Sequence, residues 1–339
     1  MTEAQKSRNN RSKAGVLVAT TALIALAVGF AGAAGLVRNV RGAIDDVDRK
    51  DAVLDALDPA HPDFVNYLFV GSDSRVGADP SDPDYGNVGS ASDIGGERGD
   101  TLMVMHYVKK SGTVSLISLP RDLWVAIGSG SKEQRINTAY QLGPDVLVRT
   151  VQGALGIPVH HYVEVNFQGF KNIVDAVGGV EICVDHPSRD RHTGLFMRQG
   201  CSTLDGVKAL AYARSRHFEQ KVDNEWSLDG TADIGRTGRQ RLFVQALATS
   251  AVSGVSDNPF RAGRVMTNGL AAVSVDPALD LIDFATTMRP AAGGRMTSFP
   301  LPVYGDTVQG NSVLRLGEGS SALLAFFAGT GPRPQIATD

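Results

Sequence analysis

Arginines and carboxylates recur side by side where elements are predicted to end: Asp73 with Arg75, Arg98 with Asp100, Arg121 with Asp122, and a run from Arg214 to Gln240. In Tyr212-Ala-Arg-Ser-Arg-His217 an extended backbone has a side-chain period of two, which points Arg214 and Arg216 to one side as a clamp. In a helix beginning near Asp233, Arg236 and Gln240 lie four apart with Arg239 between them. These three then overlook one patch while Phe243, Leu247 and Ala251 pack inward. Guanidinium groups gathered together are costly without anions, and a pyrophosphate offers several oxygens for forked hydrogen bonds. The carboxylates of Asp73 and Asp100 would then hold a Mg²⁺ that shares the phosphate oxygens. Any one Arg/Asp pair also reads as a surface salt bridge of little worth. Three such pairs and the run from Arg214 to Gln240, all at element edges, leave that reading and an anion site both open.

The elements that must position these groups alternate between β and α. Asn66 to Val70 is a short apolar strand that stops at Gly71-Ser-Asp-Ser-Arg75, so polar groups collect at a strand's carboxyl end, where open α/β sheets place ligands. Val76 to Glu97 is too polar to pack and reads as an exposed loop; its aspartates lack the ordered spacing of a calcium loop. Thr101 to Val108 and Thr113 to Leu119 read as a hairpin, ended by Pro120, Arg121 and Asp122. Thr138 to Leu155 reads as a helix, His161 to Val165 as a strand, Gln168 to Val177 as a helix and Val180 to Val184 as a strand. A short helix over Asp205 to Ala211, capped by Asp205, precedes the extended clamp, and a longer helix covers Arg236 to Val252. Further elements are expected over Phe260 to Leu270, Pro277 to Met288, Met296 to Leu301 and Ser320 to Phe327. The alternation predicts a single mixed α/β domain.

The 339 residues carry a net charge of only -3, so the footprint of a general nucleic-acid binder is missing and an anionic ligand must be held locally. The basic side chains are 24 Arg against 9 Lys, a bias that suits phosphate recognition and equally follows from a GC-rich genome. Ala14 to Val37 contains no charge and is long enough to cross a bilayer. Lys6, Arg8, Arg11 and Lys13 precede it, which predicts a single-pass anchor with a cytoplasmic N-terminus and the rest exported; a cleaved signal peptide is the other reading. The expected order is a tail over 1–13, a transmembrane helix over 14–37, a stalk or first helix over 38–62, the main domain over 63–330 and a tail over 331–339. Cys183 and Cys201, the two cysteines of an exported chain, are expected to pair. The histidines look scattered, so a zinc site is not expected. Trp124 and Trp226 are expected to pack rather than stack on bases.

Seven segments in order, Gly71-Ser-Asp-Ser-Arg75, Arg98-Gly-Asp-Thr101, Ser118-Leu-Pro-Arg-Asp122, Ile136-Asn-Thr-Ala-Tyr140, Val177-Gly-Gly-Val180, Ala209-Leu-Ala-Tyr-Ala-Arg-Ser-Arg-His217 and Asp233-Ile-Gly-Arg-Thr-Gly-Arg-Gln240, resemble the motifs of the LytR-CpsA-Psr (LCP) family over about Asn66 to Phe327. The resemblance implies an αβα sandwich whose central sheet and helices enclose a hydrophobic groove for a polyprenyl chain, with a pyrophosphate at its mouth. It implies transfer of a glycan polymer from a polyprenyl-pyrophosphate carrier to peptidoglycan at the membrane, leaving a phosphodiester link.

On these positions the resemblance implies that Asp73 and Asp100 bind Mg²⁺ and that Arg98, Arg121, Arg214, Arg216, Arg236, Arg239 and Gln240 grip the phosphates. Asp233 would orient the arginines. Arg98, Arg121 and Asp122 are the expected catalytic residues, Asp122 being either the general base or a partner of Arg121. Arg135 stands where members often carry Lys, and the cysteine pair resembles that of actinobacterial members, whose walls carry arabinogalactan. Two rivals stay open: a hydrolase of the same lipid pyrophosphate, and a non-catalytic lipid-binding protein or transcriptional attenuator.

Overall fold

The computed structural model describes residues 44–45, 47–74, 99–229, 232–257, 273–284 and 296–335. The expected transmembrane span 14–37, Arg75, the loop 76–97, Arg98, the element 260–270 and the last four residues lie outside them. Among the described residues no helix is long and apolar enough to cross a membrane.

The central sheet has seven strands in the order β1 (Asp48–Arg49), β14 (Val273–Val275), β7 (His161–Val165), β2 (Phe64–Ser72), β3 (Gly99–Val108), β4 (Thr113–Leu119) and β15 (Met296–Pro300). It is mixed: β2 and β3, β3 and β4, and β14 and β7 run antiparallel, whereas β2 and β7, β15 and β4, and β1 and β14 run parallel. Alternation along these strands feeds two separate cores. Tyr67, Phe69, Met103, Met105, Leu116 and Val163 face one side, against α3 (Phe167–Val177), α4 (Gly206–Arg214) and α5 (Ala232–Asp257). Leu68, Val70, Leu102, Val104, Ile117 and Leu119 face the other, against α1 (Asn137–Leu142), α2 (Pro144–Leu155) and α6 (Ser320–Phe327). Both faces are therefore buried and the expected αβα sandwich is present.

Two expected elements differ. The single helix over 138–155 is two helices, α1 and α2, because Gly143 adopts φ 141° and Pro144 starts the next helix. A residue before proline is pushed out of the helical region, and glycine tolerates the resulting backbone. The segment 38–62, read as a stalk or first helix, packs onto the domain from residue 47. There β1 extends the sheet edge, a 3₁₀ helix runs over Asp51–Ala56, and Val53 and Ala56 are buried.

Between β8 (Val180–Val184) and β11 (Gly200–Leu204) the chain makes an excursion through β9 (Ser188–Asp190) and β10 (Leu195–Met197). These two join β12 (Glu219–Val222) and β13 (Glu225–Leu228) in a four-stranded sheet of order β10-β9-β12-β13. Cys183 and Cys201 lie opposite one another in the β8–β11 register and form the expected disulfide. Trp226 packs beneath the Arg189 guanidinium, 3.9 Å from the ring centroid. Trp124 donates its indole N–H to Glu133.

At the opposite end of the central sheet Asn66 organises a buried polar network. Its Nδ2 donates to the carbonyls of Pro158 and Phe327, so its Oδ1 is the acceptor facing His106 Nδ1 at 2.7 Å. The Asn66 N–H in turn donates to His160 Nδ1 at 2.9 Å. This pins α6 to the strand beneath it.

Candidate functional site

The site forms at one end of the sheet, where β2 and β7 finish and β3 begins. Gly71 is opposite both Val165 of β7 and Thr101 of β3, and Ser72 is opposite Gly99. Asp73 leaves the end of β2 almost fully buried, at 3% exposure. Thr101 and Ser118 continue the alternation of Met103 and Leu116, so both lie on the sheet face covered by α3, α4 and α5. Asp100 lies at the start of β3, next to the end of β2; its side chain is outside the described residues. Gly99 in the Arg98-Gly-Asp segment is required by close packing, since a Cβ there would stand 2.8 Å from the Tyr140 ring. Tyr140 and Tyr162 both donate their hydroxyls to Glu164, at 2.7 and 2.8 Å, which satisfies that buried carboxylate and fixes α1 against β7 beside the site.

The arginines reach this end of the sheet from two helices and a strand terminus. α4 begins at Asp205, whose Oδ1 accepts the Lys208 N–H at 2.8 Å, as expected. It does not stop at Ala211: the apolar Ala209-Leu-Ala-Tyr-Ala run is buried throughout and carries the helix to Arg214. The period-two clamp is therefore incorrect. Arg214 closes a helix, where its charge complements the dipole, and Ser215 turns the chain into an extended conformation before Arg216. The Arg214 guanidinium lies over the Phe167 ring, 4.7 Å from its centroid, directly after β7.

From α5, Arg236, Arg239 and Gln240 are all buried, at 2%, 7% and 4% exposure, with Phe243 and Leu247 packed inward as the spacing requires. Thr237 and Arg241 of α5 border a cavity with Ser118, Pro120, Pro300 and Leu301, which brings the first turns of α5 to the ends of β4 and β15. That cavity holds about 60 Å³, too little for the polyprenyl chain that the resemblance implies.

Arg239 is a brace within the fold. It donates to Asp229 Oδ2 at 2.6 Å and to the Ser215 carbonyl at 2.8 Å, and its guanidinium covers the Phe218 ring. Only its Nε has no hydrogen-bond partner among the described residues, as is also true of Gln240 Nε2. Asp229, which sequence reasoning missed, orients this arginine; the side chain of Asp233, expected in that role, is outside the described residues.

Asp122 lies between two guanidinium groups, 3.5 Å from Arg121 and 3.4 Å from Arg135, while Arg135 also donates to the Ser312 carbonyl. Of its two expected roles, this geometry displays the arginine partner.

A second missed carboxylate, Asp190, is fully buried and holds the segment that follows α4. Its Oδ2 accepts the Ser215 hydroxyl at 2.7 Å and the N–H groups of Arg216 and His217 at 3.0 Å. Its Oδ1 accepts the His192 N–H at 2.8 Å. Burial pushes this carboxyl up, but the hydrogen bonds from Ser215, His217 and His192 outweigh that and hold it below the usual carboxylate range. Nothing in the local pattern of Ser188-Arg-Asp190 marks it, because all of its partners except His192 come from a segment 25 or more residues later.

The sequence model of the LytR_cpsA_psr family matches residues 38–323. A probable cell wall biosynthesis protein, LcpB, of Corynebacterium glutamicum is 36% identical over 285 residues, covering 82% of this chain and 64% of that protein. The chain thus spans less than two thirds of that relative's length. The polyisoprenyl-teichoic acid–peptidoglycan teichoic acid transferase TagU of Oceanobacillus iheyensis is 29% identical, covering 85% of each. Among solved structures, a LytR-Csp2A-Psr enzyme from Actinomyces oris superimposes with a TM-score of 0.60 at 26% identity, covering 78% of this chain and 89% of that one.

Proposed function

Because the chain belongs to the LytR-CpsA-Psr family, we propose that it transfers a glycan polymer from a polyprenyl-pyrophosphate carrier to peptidoglycan. The observation that carries this reading is the burial of Arg214, Arg236, Arg239, Gln240 and Asp73, with Arg214 stacked on Phe167 just past the end of β7 and Asp73 at the end of the neighbouring β2. Such a density of donors suits a ligand with several anionic oxygens.

The acceptor hydroxyl oxygen attacks the phosphorus that bears the glycan, the bond from that phosphorus to the bridging oxygen breaks, and polyprenyl phosphate leaves. The hydroxyl proton passes to a base or to solvent. Phosphoryl transfer asks the protein chiefly to position groups and to stabilise charge. Arg98, Arg121, Arg214, Arg216, Arg236, the Nε of Arg239 and Gln240 would hold the phosphate oxygens. Asp122 would keep Arg121 in place. The oxygen donors of Asp73, buried at the end of β2, and of Asp100, on the neighbouring strand, fit a hard cation such as Mg²⁺. When bound, that ion supplies charge neutralisation at the pyrophosphate. The apolar layer between the sheet and α3, α4 and α5 would have to open to take the polyprenyl chain, since the cavity beside α5 is too small for it, and the span 14–37 would hold the protein in the membrane with this domain outside. The Cys183–Cys201 disulfide supports an oxidising compartment.

Purified full-length protein, incubated with Mg²⁺, peptidoglycan and polyprenyl-pyrophosphate donors carrying arabinogalactan or teichoic acid, tests the proposal. Glycan joined to peptidoglycan through a phosphodiester, with release of polyprenyl phosphate, is the expected result. Free glycan phosphate without attachment would instead identify a hydrolase. Donor binding with no turnover would identify a lipid-binding protein.

A further inference from the structure

We propose that Asp190, His192 and His217 form a binding site for a borderline divalent cation of the Zn²⁺ class, separate from the carboxylates Asp73 and Asp100. The two histidines are 25 residues apart in the chain and meet because one buried carboxylate takes both of their backbone N–H groups, His192 on Oδ1 at 2.8 Å and His217 on Oδ2 at 3.0 Å. Their imidazoles are thereby held side by side, with ring centroids 4.1 Å apart and planes tilted by 34°. One ligand nitrogen from each ring and one oxygen of Asp190 lie within 4.8 Å of one another.

The donor set is completed by the way Asp190 is used. Oδ2 already accepts three hydrogen bonds, from Ser215, Arg216 and His217. Oδ1 accepts one backbone N–H and faces His192 Nδ1 at 3.5 Å, so a lone pair remains on the side of the imidazoles. Two imidazoles and one carboxylate match three-ligand zinc sites, which keep a fourth position open to water or substrate. Magnesium, which prefers an octahedron of oxygens, is a poor match. Both rings are exposed, so a cation can enter without rearrangement of the core. Cys183 and Cys201 are joined to each other and offer no thiolate to compete for it. A cation here would sit at the foot of the segment that carries Arg214 and Arg216, since Arg216 is held by the same carboxylate. It would brace that edge of the site.

The site is tested by calorimetric titration of untagged, chelator-treated full-length protein with ZnCl₂, with MgCl₂ as the comparison. One Zn²⁺ per chain is expected, with a Kd below about 10 µM, and excess Mg²⁺ should not displace it. His192→Ala and His217→Ala should each weaken binding by more than about tenfold. Their backbone N–H groups still reach Asp190, so both variants should keep the wild-type melting temperature without zinc. His217→Cys should restore binding, because thiolate is also a zinc ligand. Wild-type protein that binds no Zn²⁺ below about 100 µM, or alanine variants that bind it like wild type, would overturn the proposal. Neither outcome depends on whether the protein transfers glycans.

Discussion

Acidification from pH 7 to 5 should destabilise the protein through two histidines that the fold keeps neutral. Burial lowers the pKa of His106 to about 4, with help from His160, and likewise lowers that of His160 to about 4. The hydrogen bonds explain why neither ring accepts a proton readily. His160 Nδ1 receives the Asn66 N–H, so a proton on that nitrogen would oppose another donor. His106 already donates from Nδ1 to Asn66 Oδ1, so its added charge would fall on Nε2, among Phe64, Phe326 and Phe327. In the unfolded chain both titrate near 6.5. Between about 6.5 and 4 the unfolded state therefore binds more protons than the native state, and stability falls as pH is lowered; above that window the contribution is complete. Each histidine contributes a slope of up to about 1.4 kcal/mol per pH unit. Going from pH 7 to 5 then removes at most about 4 kcal/mol, with about 2 kcal/mol expected once partial solvation is allowed for. Most carboxylates remain ionised over this range, so the histidines dominate it. Urea denaturation at pH 7, 6 and 5 measures the slope, and His106→Gln and His160→Gln should each remove about half of it. A stability that is flat over this range, or a slope unchanged in both variants, would refute the reasoning.

Arg121→Ala and Arg236→Ala should each lower glycan transfer by about 100-fold to 1,000-fold, the usual cost of losing one donor to a developing anion; steady-state assays of product formation check this. Asp122→Asn should lower turnover modestly through Arg121 while leaving the acid limb of the pH–rate profile in place, and loss of that limb would make Asp122 the general base. Asp229→Ala should cost about 3 kcal/mol by stranding the buried Arg239 guanidinium, with partial recovery in Arg239→Met/Asp229→Ala, as read from chemical denaturation. Reduction of Cys183–Cys201, which closes a loop of 18 residues, should cost about 3 kcal/mol and lower the melting temperature accordingly.

The placement of the candidate residues was legible where it depends on strand ends and helical spacing. Asp73 follows an apolar run, Arg121 follows a hairpin, and Arg236 and Gln240 are one helical turn apart above Phe243, so local periodicity sufficed. Arg214 was placed near its partners for an incorrect reason, because an alanine-rich helix and a short extended run differ little over five residues and tertiary burial decided between them. Asp190 and Asp229 were invisible because their value lies in partners 10 to 27 residues away, a relation that no local pattern encodes. The meeting of His192 and His217 was hidden for the same reason.

The disulfide across β8 and β11 welds the two ends of the detour that carries Asp190 and His192. Changes of length in the exposed turns of that detour therefore have little leverage on the spacing of α3 and α4, whereas Asp190, Leu195 and Met197 within it stay tied to α4 and the core. The turns of this detour can vary in length while the layer that bears the buried arginines stays as it is.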